Sequence, residues 1–348
     1  MKKIFLILLL IILVAGLVGA WLVFGSATNF SENKKNLFVY SGKTDKASVM
    51  KFIKKEDLLK YPTIFEWMSE QMGVWKRLKP GKFELKKGES LLAITRTLRN
   101  NRQTPVQLVI NKLRIKEDLA ELIAKNFEAD SVEVMNFINN DDSIANLEVN
   151  SNTFMTIVIP NTYTMFWNTS PGKLFRRLKT EQENFWQKND RLDKAQKLGF
   201  SPAQVYTIAS IVEEETNKLD EKGNVASVYI NRYRTGMRLG ADPTVKFALK
   251  DFSLKRIYEK HLQVESPYNT YKVAGLPPGP ICTPSSKTID AVLNSPKTDY
   301  TYFVAKSDFS GYHTFSATYA EHLQHAHEYQ KALDELILRK QNAAKSAL

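Results

Sequence analysis

The stretch "SPAQVYTIASIVEEETNK" (residues 201–218) sets the reading of the C-terminal half, because it is a helix with both ends written into it. Ser201 is placed as an N-cap, Pro202 takes the first helical position, and Gln204 stands at capping-box spacing from the serine. Val205, Ile208, Ala209 and Val212 then recur at i, i+3, i+4 and i+7, which makes one apolar face. The helix closes on three consecutive glutamates and Thr216. At about 100° per residue Glu214 falls opposite the apolar stripe, so it is expected in solvent. Glu213 and Glu215 fall on the flanks: Glu213 over Ala209 and Ser210, Glu215 over Ile208 and Ile211. A carboxyl pressed against large apolar side chains loses hydration, and the negative end of the helix dipole adds to the effect, so its pKa rises. A protonated carboxyl is what general-acid cleavage of a glycosidic bond needs. The pattern by itself leaves open a second reading, an ordinary solvated helix end.

The opposite end of the chain fixes its setting. After Met1-Lys2-Lys3 comes "IFLILLLIILVAGLVGAWLVF" (residues 4–24), 21 residues with no charge. At about 1.5 Å per residue they match a hydrocarbon core about 30 Å thick, and the run is longer than the apolar region of a cleaved signal peptide. The expectation is one transmembrane helix over 4–24, with Trp21 at the interface. A cytoplasmic tail of residues 1–3 carries Lys2 and Lys3, and everything after Gly25 lies outside the membrane. The net charge of +12 then argues for anionic lipid headgroups or anionic wall polymer as partners, and against nucleic acid. One cysteine, Cys282, excludes an intramolecular disulfide framework and a cysteine-rich metal site.

Between these ends the chain reads as α+β. Residues 25–36 are polar and read as a linker; 37–42 read as a strand, and "SVMKFIKKEDLLK" and "IFEWMSEQMGVWKRL" as amphipathic helices. In "GKFELKKGESLLAIT" a strand with Phe83 and Leu85 facing inward breaks at Gly88, and Ser90 caps a helix striped by Leu91, Ile94 and Leu98. This strand–Gly–Ser–helix resembles a LysM glycan-binding repeat. Val106–Ile110 reads as the next strand, residues 112–150 as helical, and 318–345 as one long exposed helix. "GLPPGPICTP" holds too many prolines and glycines for a helix or central strand, and reads as a rigid loop shaping a cleft.

Four motifs stand in order in the C-terminal half: "ASIVEEET" (209–216), "VASVYINRYRTGMRLGADPTV" (225–245), "SPYNTYKVAGLPPGPICTPS" (266–285) and "YTYFVAKSDFSGYHTF" (300–315). Together they resemble the YceG-like, or MltG, family of membrane-anchored endolytic murein transglycosylases. The resemblance implies a LysM-like subdomain over 37–110 and a larger α+β catalytic domain over 111–330, with 331–348 as helix end and tail. On the family motif the catalytic glutamate is Glu215, Glu213 matches the first glutamate, and Glu214 replaces a lysine. The implied reaction cleaves the bond between N-acetylmuramic acid and N-acetylglucosamine in nascent peptidoglycan strands and leaves 1,6-anhydro ends, without metal or cofactor. It implies a location in the cytoplasmic membrane with the catalytic domain outside, and the cell-wall synthesis machinery as partner.

Glu213, Asn231, Asp242, Thr244, Asn269, Tyr271 and His313 match family motif positions and are candidates to bind sugar or to support the site. Arg232 is expected to brace a carboxylate. Asn161 replaces an aspartate that the family usually carries. His322, His325 and His327, on the last helix, are expected on a solvated face rather than at a metal. Two rivals remain: a muramidase that hydrolyses with Glu215 and Asp242, and a non-catalytic membrane-anchored scaffold that only binds glycan.

Overall fold

The chain begins with α1 (Lys2–Phe24), a 23-residue apolar helix none of whose side chains is buried. Among the described residues it is the one helix long and apolar enough to cross a membrane, which fits a membrane anchor or a signal sequence. The structure is a computed structural model that describes residues 2–346. It divides into two units: residues up to 108 together with 123–130 and 163–170, and residues 109–122, 131–162 and 171 onward.

The first unit follows α1 with β1 (Lys34–Val39), α2 (Lys46–Lys55), α3 (Pro62–Gln71), β2 (Gly81–Lys86), α4 (Leu91–Arg99) and β3 (Val106–Val109). β1 and β2 pair antiparallel with Leu37 opposite Phe83, and both side chains are fully buried. The strand–Gly–Ser–helix element forms as its residues require. Phe83 and Leu85 point inward, Gly88 takes φ +80°, and Ser90 Oγ accepts from Ala93 N at 3.3 Å. Leu91, Ile94 and Leu98 of α4 close the core with Val49, Ile53 and Phe65, at roughly 1.5–3 kcal/mol for each such side chain.

Residues 25–36 are not a free linker. Ala27 and Phe30 are buried, Ser26 bridges to Ser90, Thr28 bridges to Leu59, and β1 begins at Lys34. Polarity suggested a spacer, but backbone pairing folds the segment into the unit. The expected boundary after 110 lies two residues beyond the first stretch of this unit, which also takes in two later ones. Aromatic packing explains one of them: the Trp167 ring lies 4.8 Å from Phe38 and 5.1 Å from Tyr40. Glu128, in the other, accepts from Ser41 N at 2.5 Å.

Beyond β3 come α5 (Lys116–Asn126), α6 (Ser131–Ile138), α7 (Asp141–Ala145), a 3-10 turn (Phe154–Ile157) and β4 (Thr162–Met165), which pairs with β3. The second unit continues with α8 (Pro171–Gln187), α9 (Arg191–Leu198), α10 (Pro202–Glu215), α11 (Lys222–Arg234), α12 (Asp242–Leu249) and the short α13 (Glu259–Leu262). It ends with α14 (Ser286–Leu293), the hairpin β5 (Tyr302–Ala305) and β6 (His313–Ser316), and α15 (Tyr319–Ser346).

α10 is the centre of this second unit. Its cap forms as the sequence requires, with Ser201 Oγ accepting from Gln204 N and Gln204 Oε1 accepting from Ser201 N. Every residue from Val205 to Val212 is buried, so the helix is covered on all sides. α11 and α14 pack on it. Arg191 Nε and Nη2 hold Asp290 at 2.7 and 2.9 Å, which ties α9 to α14.

Candidate active site

The three glutamates that end α10 go to three different places. Glu214, expected in solvent, is mostly covered. Lys112 Nζ stands 3.0 Å from one of its carboxylate oxygens and Arg114 Nη2 3.1 Å from the other. Burial works against its charge, but these two cations outweigh it and hold the carboxyl below the usual range. The one-stripe reading failed here because α10 has no solvent face. Glu213 turns towards α11 and the start of α14 and meets Lys222 Nζ at 2.9 Å, Ser285 Oγ at 3.2 Å and the Thr288 hydroxyl. It clamps α10 to α11 and α14.

Glu215 opens onto a cleft, a cavity of about 520 Å³ lined also by Tyr229, Arg232, Gly240, Asp242, Tyr271, Tyr302, Phe303 and His322, whereas Glu214 lines a separate small pocket of about 50 Å³. Tyr229 on α11 donates to Glu215 Oε1 at 2.5 Å. The carboxyl keeps an edge towards the cleft but is otherwise surrounded by protein. Burial pushes its pKa up to about 7 against the pull of the Tyr229 hydroxyl, and the charge of Asp242 adds to the rise. A carboxyl that is half protonated near neutral pH can give a proton and take one back.

Asp242, the first residue of α12, accepts from the Tyr271 hydroxyl at 2.6 Å on the same cleft wall. Burial and this carboxylate together push the Tyr271 phenol well above its ordinary value, so it stays a donor. Gly240 brings the chain into α12 at φ +58°, and a Cβ there would stand 3.5 Å from the Arg232 guanidinium.

Of the sequence candidates, then, the cleft gathers Glu215, Asp242 and Tyr271. The others are framework. Asn231 Nδ2 donates to the carbonyls of Thr298 and Tyr300, both at 2.9 Å. Thr244 is fully buried and bonds Ala241 O and Thr270 Oγ1. Asn269 Nδ2 donates to Leu262 O and Val264 O while its Oδ1 accepts from Tyr271 N at 3.1 Å, so it shapes the turn that presents Tyr271. His313 stands behind the cleft wall, edge-on to Phe303 at 5.2 Å, with Nδ1 3.0 Å from Glu221.

Other expectations need correction. Arg232 braces carbonyls rather than a carboxylate, donating to Thr301 O at 2.6 Å and Leu239 O at 2.5 Å. None of "GLPPGPICTP" lines the cleft; Ile281 N donates to Ser210 Oγ and the Cys282 thiol to Ser210 O, so this loop seals the flank of α10. Asn161 is exposed, and its Oδ1 accepts from Thr162 N at 2.8 Å, a turn bond that asparagine makes as well as aspartate. His322 is half-buried and stacks on Tyr302 with centroids 5.2 Å apart. Burial and the Arg232 charge lower its pKa. His325 pairs with Glu328 at 3.3 Å, and no group of three or more His, Cys, Asp or Glu among the described residues is placed to hold a metal.

The sequence reading missed two polar residues. Tyr229 carried a signal, since it lies one helical position before the Ile230-Asn231 pair of a quoted motif. Glu221 is buried, accepts from Thr216 Oγ1 at 2.5 Å and from His313 N at 2.9 Å, and so locks the end of α10 to β6.

With this geometry in place, the profile of the YceG-like family matches residues 39–328. The chain belongs to the YceG-like family. It is similar to an endolytic murein transglycosylase of Bacillus subtilis, at 28% identity over 321 residues, which are 88% of this chain and 87% of that protein. An endolytic murein transglycosylase of Streptococcus pneumoniae is 36% identical over 106 residues, covering 29% of this chain and 19% of that protein. A crystal structure of a yceG-like protein from Listeria monocytogenes superposes with a TM-score of 0.55 at 26% identity, over 84% of this chain and 99% of that one. The YceG-like chain therefore shares the mixed helix-and-sheet fold of that protein.

Proposed function

We propose that this chain is an endolytic lytic transglycosylase of peptidoglycan, a lyase held at the membrane by α1 with its catalytic unit outside. The observation that carries the reading is Glu215: a carboxyl poised near pH 7 and bonded by the Tyr229 hydroxyl at the edge of a cleft large enough for sugar. The relatives named endolytic murein transglycosylases supply the substrate class.

In the proposed reaction Glu215 gives its proton to the oxygen between N-acetylmuramic acid and N-acetylglucosamine. The bond from C1 to that oxygen breaks, and an oxocarbenium-like centre develops at C1. Glu215, now a carboxylate held by Tyr229, takes the proton of the C6 hydroxyl on the same muramic acid as O6 closes on C1. The proton count returns to its start and no water is consumed. One carboxyl serves both steps because the nucleophile belongs to the substrate, whereas a hydrolase ordinarily needs a second carboxylate about 5–10 Å away. Asp242 is in the same cleft, and it is what keeps the muramidase reading alive. Residues 81–99, with their LysM-like motif, are the candidate for a second hold on the glycan.

Digestion of purified glycan strands followed by mass spectrometry tests the reading. Internal cleavage with 1,6-anhydromuramic ends is expected; reducing muramic ends would mean hydrolysis, and binding without cleavage would mean a scaffold.

A further inference from the structure

The positive charge of the chain is confined to one part of it. Residues 25–108 carry 17 Lys and Arg against 8 Asp and Glu, whereas residues 109–348 carry 30 against 29. Of the net +12, nine charges belong to the folded segment that directly follows α1, and two more are Lys2 and Lys3 at the other end of that helix. That segment is also attached to α1 without slack. Gly25 N donates to Trp21 O at 2.8 Å, the Trp21 ring lies 6.0 Å from Tyr61, and Val23 packs against the unit's core. Two residues later Ala27 is buried and its backbone bonds Glu89 O and Lys60 N.

These pairings place particular lysines beside the helix exit. Lys60 follows Leu59, which bridges to Thr28. Lys86 and Lys87 precede Gly88, whose backbone N donates to Thr28 Oγ1 at 2.8 Å. α4, which packs on α1, carries Arg96. Lys60, Lys86, Lys87 and Arg96 are exposed, and no ion pair to them is found among the described residues, unlike Lys34, which pairs with Glu84 at 2.8 Å. A cluster of unpaired cations at the end of an apolar spanning helix has its natural counterion in anionic headgroups, whose attraction reaches about 8–10 Å from the surface.

We propose that the first unit uses this cluster as a second attachment, docking its Lys60–Lys86–Lys87–Arg96 face onto anionic phospholipid headgroups around the exit of α1. The proposal rests on α1 being the anchor. A folded unit tied at one point could swing; a second, electrostatic contact fixes which of its faces meets the bilayer.

The test uses the full chain reconstituted into phosphatidylcholine vesicles with or without about 30% phosphatidylglycerol. Flotation after alkaline carbonate comes first: a chain that fails to float has no inserted anchor, and that failure belongs to the membrane reading itself. A membrane-impermeant amine reagent then labels lysines, and peptide mass spectrometry gives the rates. Labelling of Lys60, Lys86 and Lys87 is expected to slow several-fold in the anionic vesicles and to recover at about 0.5 M salt, with Lys188 and Lys297 unchanged. Equal rates in both vesicles would overturn the proposal. Protection in neutral vesicles only after a soluble anionic glycan is added would also overturn it, and would give the face to the polymer. The variant R96E serves as a second measure: it leaves the lysines in place, and the salt-sensitive protection should weaken.

Discussion

The hydroxyl of Tyr229, on α11, stands 2.5 Å from Glu215 Oε1, on α10, and donates to it. This bond and burial act in opposite directions on the same proton. Burial favours neutral Glu215, and the phenol favours its anion. A balance near pH 7 suits the proposed reaction, in which one carboxyl acts first as acid and then as base.

Tyr229→Phe separates the two influences. Without the donor, the Glu215 pKa is expected to rise further, and the fall of kcat/KM on the alkaline side should move to higher pH. The anion formed after bond cleavage also loses its partner, at about 1–3 kcal/mol, so kcat should fall by roughly ten- to a hundredfold. A pH–rate profile with a chromogenic or fluorescent glycan reads both effects. An alkaline limb that stayed in place would mean that the limb is not Glu215.

Asp242→Asn acts with the opposite sign. The Asp242 charge raises the Glu215 pKa, so its removal should bring the alkaline limb to lower pH. The amide oxygen still accepts from Tyr271, which keeps the wall in shape. Cleavage is expected to persist with 1,6-anhydro ends; its complete loss would favour the hydrolase reading.

Glu215→Gln tests catalysis and stability at once. Cleavage should drop by about 10²–10⁴-fold or more, because the acid and the base are lost together. Stability should move the other way. Between the ordinary carboxyl value of 4.5 and about 7, the folded chain holds a proton that the unfolded chain has released, so wild-type stability falls as pH rises through that window. The full shift corresponds to about 3 kcal/mol, and the carboxyl's open edge to the cleft reduces it. Urea unfolding at pH 5 and pH 8 should show this slope in the wild type and a flatter one in Glu215→Gln, with the variant the more stable at pH 8.

The sequence made some of this legible and not the rest, for reasons that lie in particular residues. The α10 cap was readable because Ser201, Pro202 and Gln204 act within four residues of each other. Glu215 was reachable by helical phase plus motif. Glu214 was misplaced because the wheel assumed a solvent face, and which residues cover the far side of α10 depends on Lys112 and Arg114, a hundred residues away in the chain. His322 was misplaced for the same reason: its ring stacks on Tyr302, and that contact exists only once α15 packs on β5. Asn231, Thr244 and Asn269 sit in matching motifs, yet the structure uses them to hold carbonyls and turns that present the cleft. A motif marks what a fold must keep, which includes the frame as well as the reacting groups.

Glu213 gives the clearest test of that distinction. Its carboxylate is bonded by Lys222, Ser285 and Thr288 where α10, α11 and α14 meet, and Lys222 is itself buried. Lys222→Met leaves a carboxylate covered by protein without its cation, a change that ordinarily costs about 3–5 kcal/mol. The expected result is a large fall in the urea midpoint. In the fraction that remains folded, the alkaline limb of the pH–rate profile should be unchanged, because Glu215 keeps Tyr229 and Asp242. The double variant Glu213→Gln with Lys222→Met removes both charges and should recover much of the lost stability. If Lys222→Met instead moved the alkaline limb while the urea midpoint held, Glu213 would belong to the reacting groups, and the division between frame and cleft drawn along α10 would be wrong.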